Sequence, residues 1–185
     1  MLVQGKDFTM HDETGLYYWH DENRLVLFLT GRVTANEAFS LYQHIEPWLA
    51  EHPGSVLVAD MDGTSYIDST TIGTLIRLHK EMKREGGSFS LCNLSPPVEE
   101  IIRKTKLLNY FQVLQDEELR SLEHELFDRM PRRSATDVDS CFVLEAHNDL
   151  CQVVPELLPR FERLMAILAA EAGCPGGESP GAARV

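Results

Sequence analysis

Two short runs of strand-forming residues, Gly15-Leu16-Tyr17-Tyr18-Trp19 and Arg24-Leu25-Val26-Leu27-Phe28-Leu29, flank the polar His20-Asp21-Glu22-Asn23. That pattern predicts a β-hairpin with a four-residue loop. From Asn36 to Ala50 the period changes: Ala38, Leu41, Tyr42, Ile45, Trp48 and Leu49 recur at steps of three and four, as on an amphipathic helix. Thr34 or Asn36 is placed to cap it, and His52-Pro53-Gly54 stops it. Ser55-Val56-Leu57-Val58-Ala59-Asp60 is a short, nearly continuous apolar run between turn residues, the pattern of a central strand covered on both faces. A second helix is predicted from Ser69 and Thr70, with Ile72, Leu75, Ile76, Leu78, His79 and Met82 on its apolar side and Gly86-Gly87 beyond its end. Ser88 to Cys92 reads as a strand, Ser95-Pro96-Pro97-Val98 as the start of a helix, and Phe111 to Leu114 as a last short strand. Strands alternating with helices after an opening hairpin imply an α/β fold: a mixed sheet of four to five strands with right-handed crossovers between its parallel pairs.

Past residue 115 the strand pattern ends. Residues 116–130 read as an additional helix whose stripe of Leu119, Leu122, Leu126 and Phe127 needs covering. Residues 131–140 are polar and form a linker. Residues 141–171 read as a helical extension with apolar positions at Val143, Ala146, Leu150, Val153, Leu157, Phe161, Leu164 and Leu168, a short heptad-like seam. Pro155 and Pro159 interrupt that seam, so two helices or one kinked helix are expected. The Gly-, Pro- and Ala-rich tail, 172–185, is expected to be disordered. The chain thus divides into a domain of residues 1–115 and a helical appendage that packs on the domain or on a second copy.

Charge narrows the partners. The 185 residues carry 17 Lys and Arg against 29 Asp and Glu, a formal charge of −12, which is poorly matched to nucleic acid. Neither an apolar run of membrane-spanning length nor a cationic leader is evident, so no membrane insertion is expected. Cys92, Cys141, Cys151 and Cys174 are widely spaced, which suits a reducing cytoplasm better than a disulfide scaffold. Arg77, Lys80, Lys83, Arg84, Arg103, Lys104 and Lys106 outnumber the acids between residues 77 and 106 and read singly as a solvated helix face.

The segment Asp60-Met61-Asp62-Gly63-Thr64-Ser65-Tyr66-Ile67-Asp68-Ser69-Thr70-Thr71-Ile72-Gly73 passes from strand to helix through a loop of acids and hydroxyls. Ser69 is placed to act as a helix N-cap, whose loss costs about 1 kcal/mol. In the same position its hydroxyl faces outward, and a phosphate there adds roughly −1.5 to −2 charges beside Asp68 and Asp62, which changes a docking surface without dismantling the fold. Catalysis is less well supported. A nucleophilic Ser69 needs a positioned base, and His79 lies nearly three helical turns on. His147 and Cys151, four apart, with Cys141 nearby, make a weak metal set where a structural zinc needs four ligands. No metal and no cofactor are expected.

These blocks resemble the STAS domain family (sulfate transporter and anti-sigma factor antagonist), in its bacterial anti-sigma factor antagonist branch. Leu-Thr-Gly-Arg-Val-Thr-Ala within Leu25 to Leu49, the signature-like Val56 to Gly73, and Gly86-Gly87 through Val113 occur in the family's order and cover about residues 13 to 125. The resemblance implies a non-catalytic protein-binding switch phosphorylated at Ser69, with Thr70 as a secondary candidate. It further implies a surface of Asp60, Asp62, Asp68, Ser69, Thr70, Thr71 and Gly73 for a serine-kinase-type anti-sigma factor, reset by a PP2C-type phosphatase. Two positions depart from the family pattern: Thr71 stands where Gly is usual and Thr34 where many antagonists have Asp. The alternative reading is a STAS scaffold or accessory subunit of a sensory or lipid-transport complex, with Ser69 only an N-cap. The C-terminal helices suggest a homodimer.

Overall fold

A computed structural model describes residues 14–121, 127–131 and 138–173. Strand β1 (Gly15–His20) turns through Asp21, whose carboxylate accepts the amides of Asn23 and Arg24 at 2.9 Å each, into β2 (Arg24–Val33). His20 pairs with Leu25, so four residues, Asp21 to Arg24, lie between the last paired positions: the loop length the sequence implied, shifted by one residue. Helix α1 (Ala35–Glu51), β3 (Val56–Asp60), β4 (Thr64–Ile67), α2 (Ser69–Arg84), β5 (Ser88–Cys92), α3 (Pro96–Lys104) and β6 (Gln112–Leu114) follow. After β6 come α4 (Glu117–Ser121), β7 (Asp128–Arg129), α5 (Ser140–Val153), a 3-10 turn (Pro155–Leu157) and α6 (Leu158–Ala172).

The sheet runs β6-β5-β3-β2-β1-β7, with β6, β5, β3 and β2 parallel, and β1 and β7 antiparallel to their neighbours. Alternation along β2 assigns its two faces. Leu25, Leu27 and Leu29 enter the large core shared with α1, α2, α3 and α5, while Val26 and Phe28 face a smaller cluster with Val58, Cys92 and Leu119. Phe127 stacks on Phe28 at 3.9 Å, so the second sheet face is covered and β3 is central, as anticipated.

Three elements differ from the sequence reading. β4 was hidden in the acid and hydroxyl loop. It forms because β2 continues past a bulge at Gly31, and Thr64, Tyr66 and Ile67 pair in parallel with Gly31, Arg32 and Val33. Gly31 sits at φ +67°, and a Cβ there would collide with the Thr14 backbone. Of the helix expected over 116–130, Glu117–Ser121 is helical among the described residues, and Asp128 and Arg129 instead pair with Tyr18 and Tyr17. Leu122, Leu126 and most of the linker lie outside the described residues, as does the tail beyond Gly173. Ala172 closes α6 rather than opening the tail.

The extension splits at Pro155 into two helices, with Pro159 in the first turn of the second, and the two are not equivalent. α5 buries Phe142, Ala146, His147, Leu150 and Cys151, so Phe142 rather than Val143 leads its inward stripe. Phe142 lies edge-on to Phe39 of α1 at 5.1 Å. Among its described residues α6 buries none fully, and it exposes Leu164 and Ile167. Cys92 and Cys151 are buried thiols, whereas Cys141 is disulfide-bonded, which the wide cysteine spacing gave no sign of. Among the described residues, no helix is long and apolar enough to cross a membrane.

The α2–α5 crossing is close because α2 has no side chain at its centre: a Cβ on Gly73 would overlap the Ala146 carbonyl oxygen. Gly73→Ala in an open helix would gain roughly 0.5–1 kcal/mol. Here, overpacking against backbone reverses the sign, and urea unfolding is expected to show a loss of about 1–3 kcal/mol.

Candidate functional site

The α2 N-terminus is organised by Asp68. One carboxylate oxygen accepts the Thr71 amide at 2.8 Å and lies 2.9 Å from the Thr71 hydroxyl, and the other accepts the Ala35 amide of α1 at 2.9 Å. Asp68, in extended backbone, is therefore the N-cap, and Ser69 is the first helical residue. This corrects the assignment of Ser69 as the cap: the two neighbours have the same capping chemistry, and the tertiary bond to Ala35 fixes which one serves.

Both departures from the family pattern are absorbed locally. The Thr71 hydroxyl is 3.0 Å from the Val33 carbonyl as well as bonded to Asp68. Thr34 caps α1 as expected, and its amide donates to Glu37 at 3.0 Å, closing a capping box. Thr70 and Thr71 are buried, whereas Ser69 is only partly so.

Relieved of capping, Ser69 makes a bond that the sequence did not suggest. Its Oγ lies 3.0 Å from Nε2 of His147, a side chain only 2% exposed. The other ring nitrogen, Nδ1, faces the Val143 carbonyl at 2.8 Å. A carbonyl only accepts, so in the neutral ring Nδ1 carries the proton, and Nε2 accepts from the Ser69 hydroxyl. The ring edge also meets Phe161 of α6 at 4.8 Å. His147 was considered only as a metal ligand beside Cys151, but both of its nitrogens are engaged elsewhere.

Serine bonded to an oriented histidine resembles the start of a nucleophilic site. The surroundings argue against that use. The Thr71 amide at this helix start is already held by Asp68. His79 sits among Phe89, Tyr110 and Phe111, within 4.9 to 6.1 Å of their rings. Beside Ser69 is a hollow of about 250 Å³ lined by Asp68, Tyr66, Ile72, Arg160 and Phe161.

Asp60 and Asp62 belong to a separate cluster at the end of β3. Asp60 is buried, accepting from the Asn93 side chain at 2.6 Å and the Asp62 amide at 3.1 Å. Burial pushes its carboxyl above the ordinary range, against the lowering pull of those two bonds. Burial, with Asp60 next, pushes the neighbouring Cys92 thiol up to about 11. Asp62 is paired with Arg120 at 3.3 Å. Ser69 and Gly73 thus face α5, Asp68 and Thr71 tie the helix start to Ala35 and Val33, and Asp60 and Asp62 form a separate cluster at the end of β3.

The basic residues of α2 are not simply solvated. Arg77 pairs with Glu145, and Lys80 reaches Asp149 at 2.6 Å and Gln152 at 2.8 Å, all on α5. Replacing Ser69 by Ala leaves Nε2 of His147 buried without a donor. Chemical denaturation of Ser69→Ala is expected to show a loss of about 1–3 kcal/mol.

A family model described as the STAS domain matches residues 19–120, ending before α5. Over 98 residues the chain is 17% identical to an anti-sigma F factor antagonist from Paenibacillus polymyxa, covering 53% of this chain and 84% of that one. The unphosphorylated form of the anti-sigma factor antagonist SpoIIAA shares its fold at TM-score 0.50 and 17% identity, over 58% of this chain and 98% of that one. A STAS-domain anti-sigma-factor antagonist from Planctomyces limnophilus also gives 0.50, at 18% identity over 57% and 93% of the two chains.

Proposed function

Since the chain belongs to the STAS domain family, we propose that it is an anti-sigma factor antagonist working as a non-catalytic, phosphorylatable binding switch in the bacterial cytoplasm. Ser69 is the phosphoacceptor. Asp62, Asp68 and Ser69 mark the surface that meets a serine-kinase-type anti-sigma factor, with Asp60, Thr70, Thr71 and Gly73 buried beneath it, and a PP2C-type phosphatase restores the hydroxyl.

The supporting observation is the division of labour between Asp68 and Ser69. Asp68 alone satisfies the Thr71 amide and ties α2 to α1, so esterifying the neighbouring hydroxyl removes no cap. Phosphate at the first helical position meets the positive end of the helix and leaves the Asp68 cap in place, while it removes the hydroxyl's donation to His147. Its effect falls on the surface, where roughly −1.5 to −2 charges join Asp68 and repel a partner seated on an acidic loop. Thr70, at 4% exposure, is far less accessible than Ser69 as a secondary acceptor. The scaffold reading depended on Ser69 being only a cap, and that role belongs to Asp68. Of the C-terminal helices proposed to form a homodimer, α6 alone retains an exposed apolar side.

Incubating the full chain and Ser69→Ala with serine-kinase-type anti-sigma factors from the same genome and MgATP, followed by peptide mass spectrometry, tests this reading. One phosphate on Ser69, absent from the variant, is the expected result. Failure of every such kinase to modify the chain, or phosphate persisting on the variant, contradicts it.

A further inference from the structure

α2 presents Ser69, Gly73, Arg77 and Lys80 at steps of four, four and three, a single stripe along the helix. α5 occupies that stripe along its whole length. Ser69 bonds His147, Gly73 meets the Ala146 backbone, and Arg77 and Lys80 pair with Glu145 and Asp149. The centre of the contact is apolar and buried, and its rim is ionic. α5 also lies beyond the region matched by the family model, so the helix covering the stripe is an addition to the domain.

Resting on the switch reading above, we propose that α5 and α6 form an intrachain cap that competes with the anti-sigma partner for the α2 face and shields Ser69 from its kinase. A kinase must bring its γ-phosphate in line with the Ser69 oxygen, and the docked chain holds that oxygen against the ring of His147. A partner helix or loop approaching Gly73 meets the same obstacle, because the space above it is filled by the Ala146 backbone. The nine residues before α5, 131–139, are mostly polar in sequence, and α6 contributes no fully buried residue among those described. Undocking withdraws Phe142 and Leu150 from the core shared with α1 and α2 but breaks no hydrogen bond of the sheet ladder. The antagonist would be active only when the cap is open.

The test uses full-length variants altered on α5 alone, so that the α2 surface stays intact. Ala146→Arg places a long side chain where the helices touch. Glu145→Lys with Asp149→Lys opposes Arg77 and Lys80 with like charges. Hydrogen–deuterium exchange over residues 69–84 reports cap opening without any partner. The initial rate of Ser69 phosphorylation, with the kinase that modifies the wild type and MgATP, reports competition. At least one variant is expected to exchange faster over α2 and to be phosphorylated at least tenfold faster, still at Ser69. Faster exchange with an unchanged phosphorylation rate overturns the cap and leaves the switch standing. Unchanged exchange in both variants overturns docking through this stripe. If no kinase phosphorylates wild type or variants, the switch reading fails and the cap falls with it.

Discussion

A single carboxylate sets the position of everything around Ser69. Asp68 accepts amides from the first turns of two helices, Thr71 of α2 and Ala35 of α1, at the ends where unpaired donors and the helix dipoles favour negative charge. The bond to Ala35 fixes the start of α2 relative to the end of β2, which in turn carries the bulge that lets β4 pair beside the loop. Without it, the loop would have no fixed approach to the helix. Because Asp68 does the capping, the next residue is relieved of structural duty at the helix start and its hydroxyl is available for other chemistry.

The second constraint is the missing side chain at Gly73. Helices whose backbones approach this closely need a small residue at the crossing, and Gly73 together with Ala146 supplies it. Close packing brings the rest into range: His147 to the Ser69 hydroxyl, and Glu145 and Asp149 to the bases of α2. Those ion pairs are partly exposed and individually weak. They contribute alignment more than stability, while Phe142, Leu150 and Val154 in the core supply most of the hold.

Most of the domain was legible because its elements carry strong periods. The apolar run of β3 and the three-and-four spacing of α1 and α2 lead to the observed elements with shifts of a residue or two. Failures occurred where pairing was nonlocal. Thr64 to Ile67 carry a weak strand pattern and become β4 only through β2. Asp128 and Arg129 follow a segment of helical spacing and become β7 only beside β1. The site divides in the same way. The Asp68-Ser69 dipeptide stood out, but its two residues have interchangeable capping chemistry, and an amide 33 residues away assigns the roles. His147, 78 residues from Ser69, stands out in the sequence only as a weak metal-ligand candidate beside Cys151, and no local pattern pairs it with a serine.

The central claim is that the hydroxyl at the start of α2 is held under the C-terminal extension in the free protein. Edited NOESY spectra of the uniformly labelled full chain address it directly. The account predicts a cross peak between the Hε1 proton of His147 and the Hβ protons of Ser69, accompanied by contacts between the Gly73 Hα and Ala146 protons. Well-dispersed spectra in which both residues are assigned and these peaks are absent would contradict it.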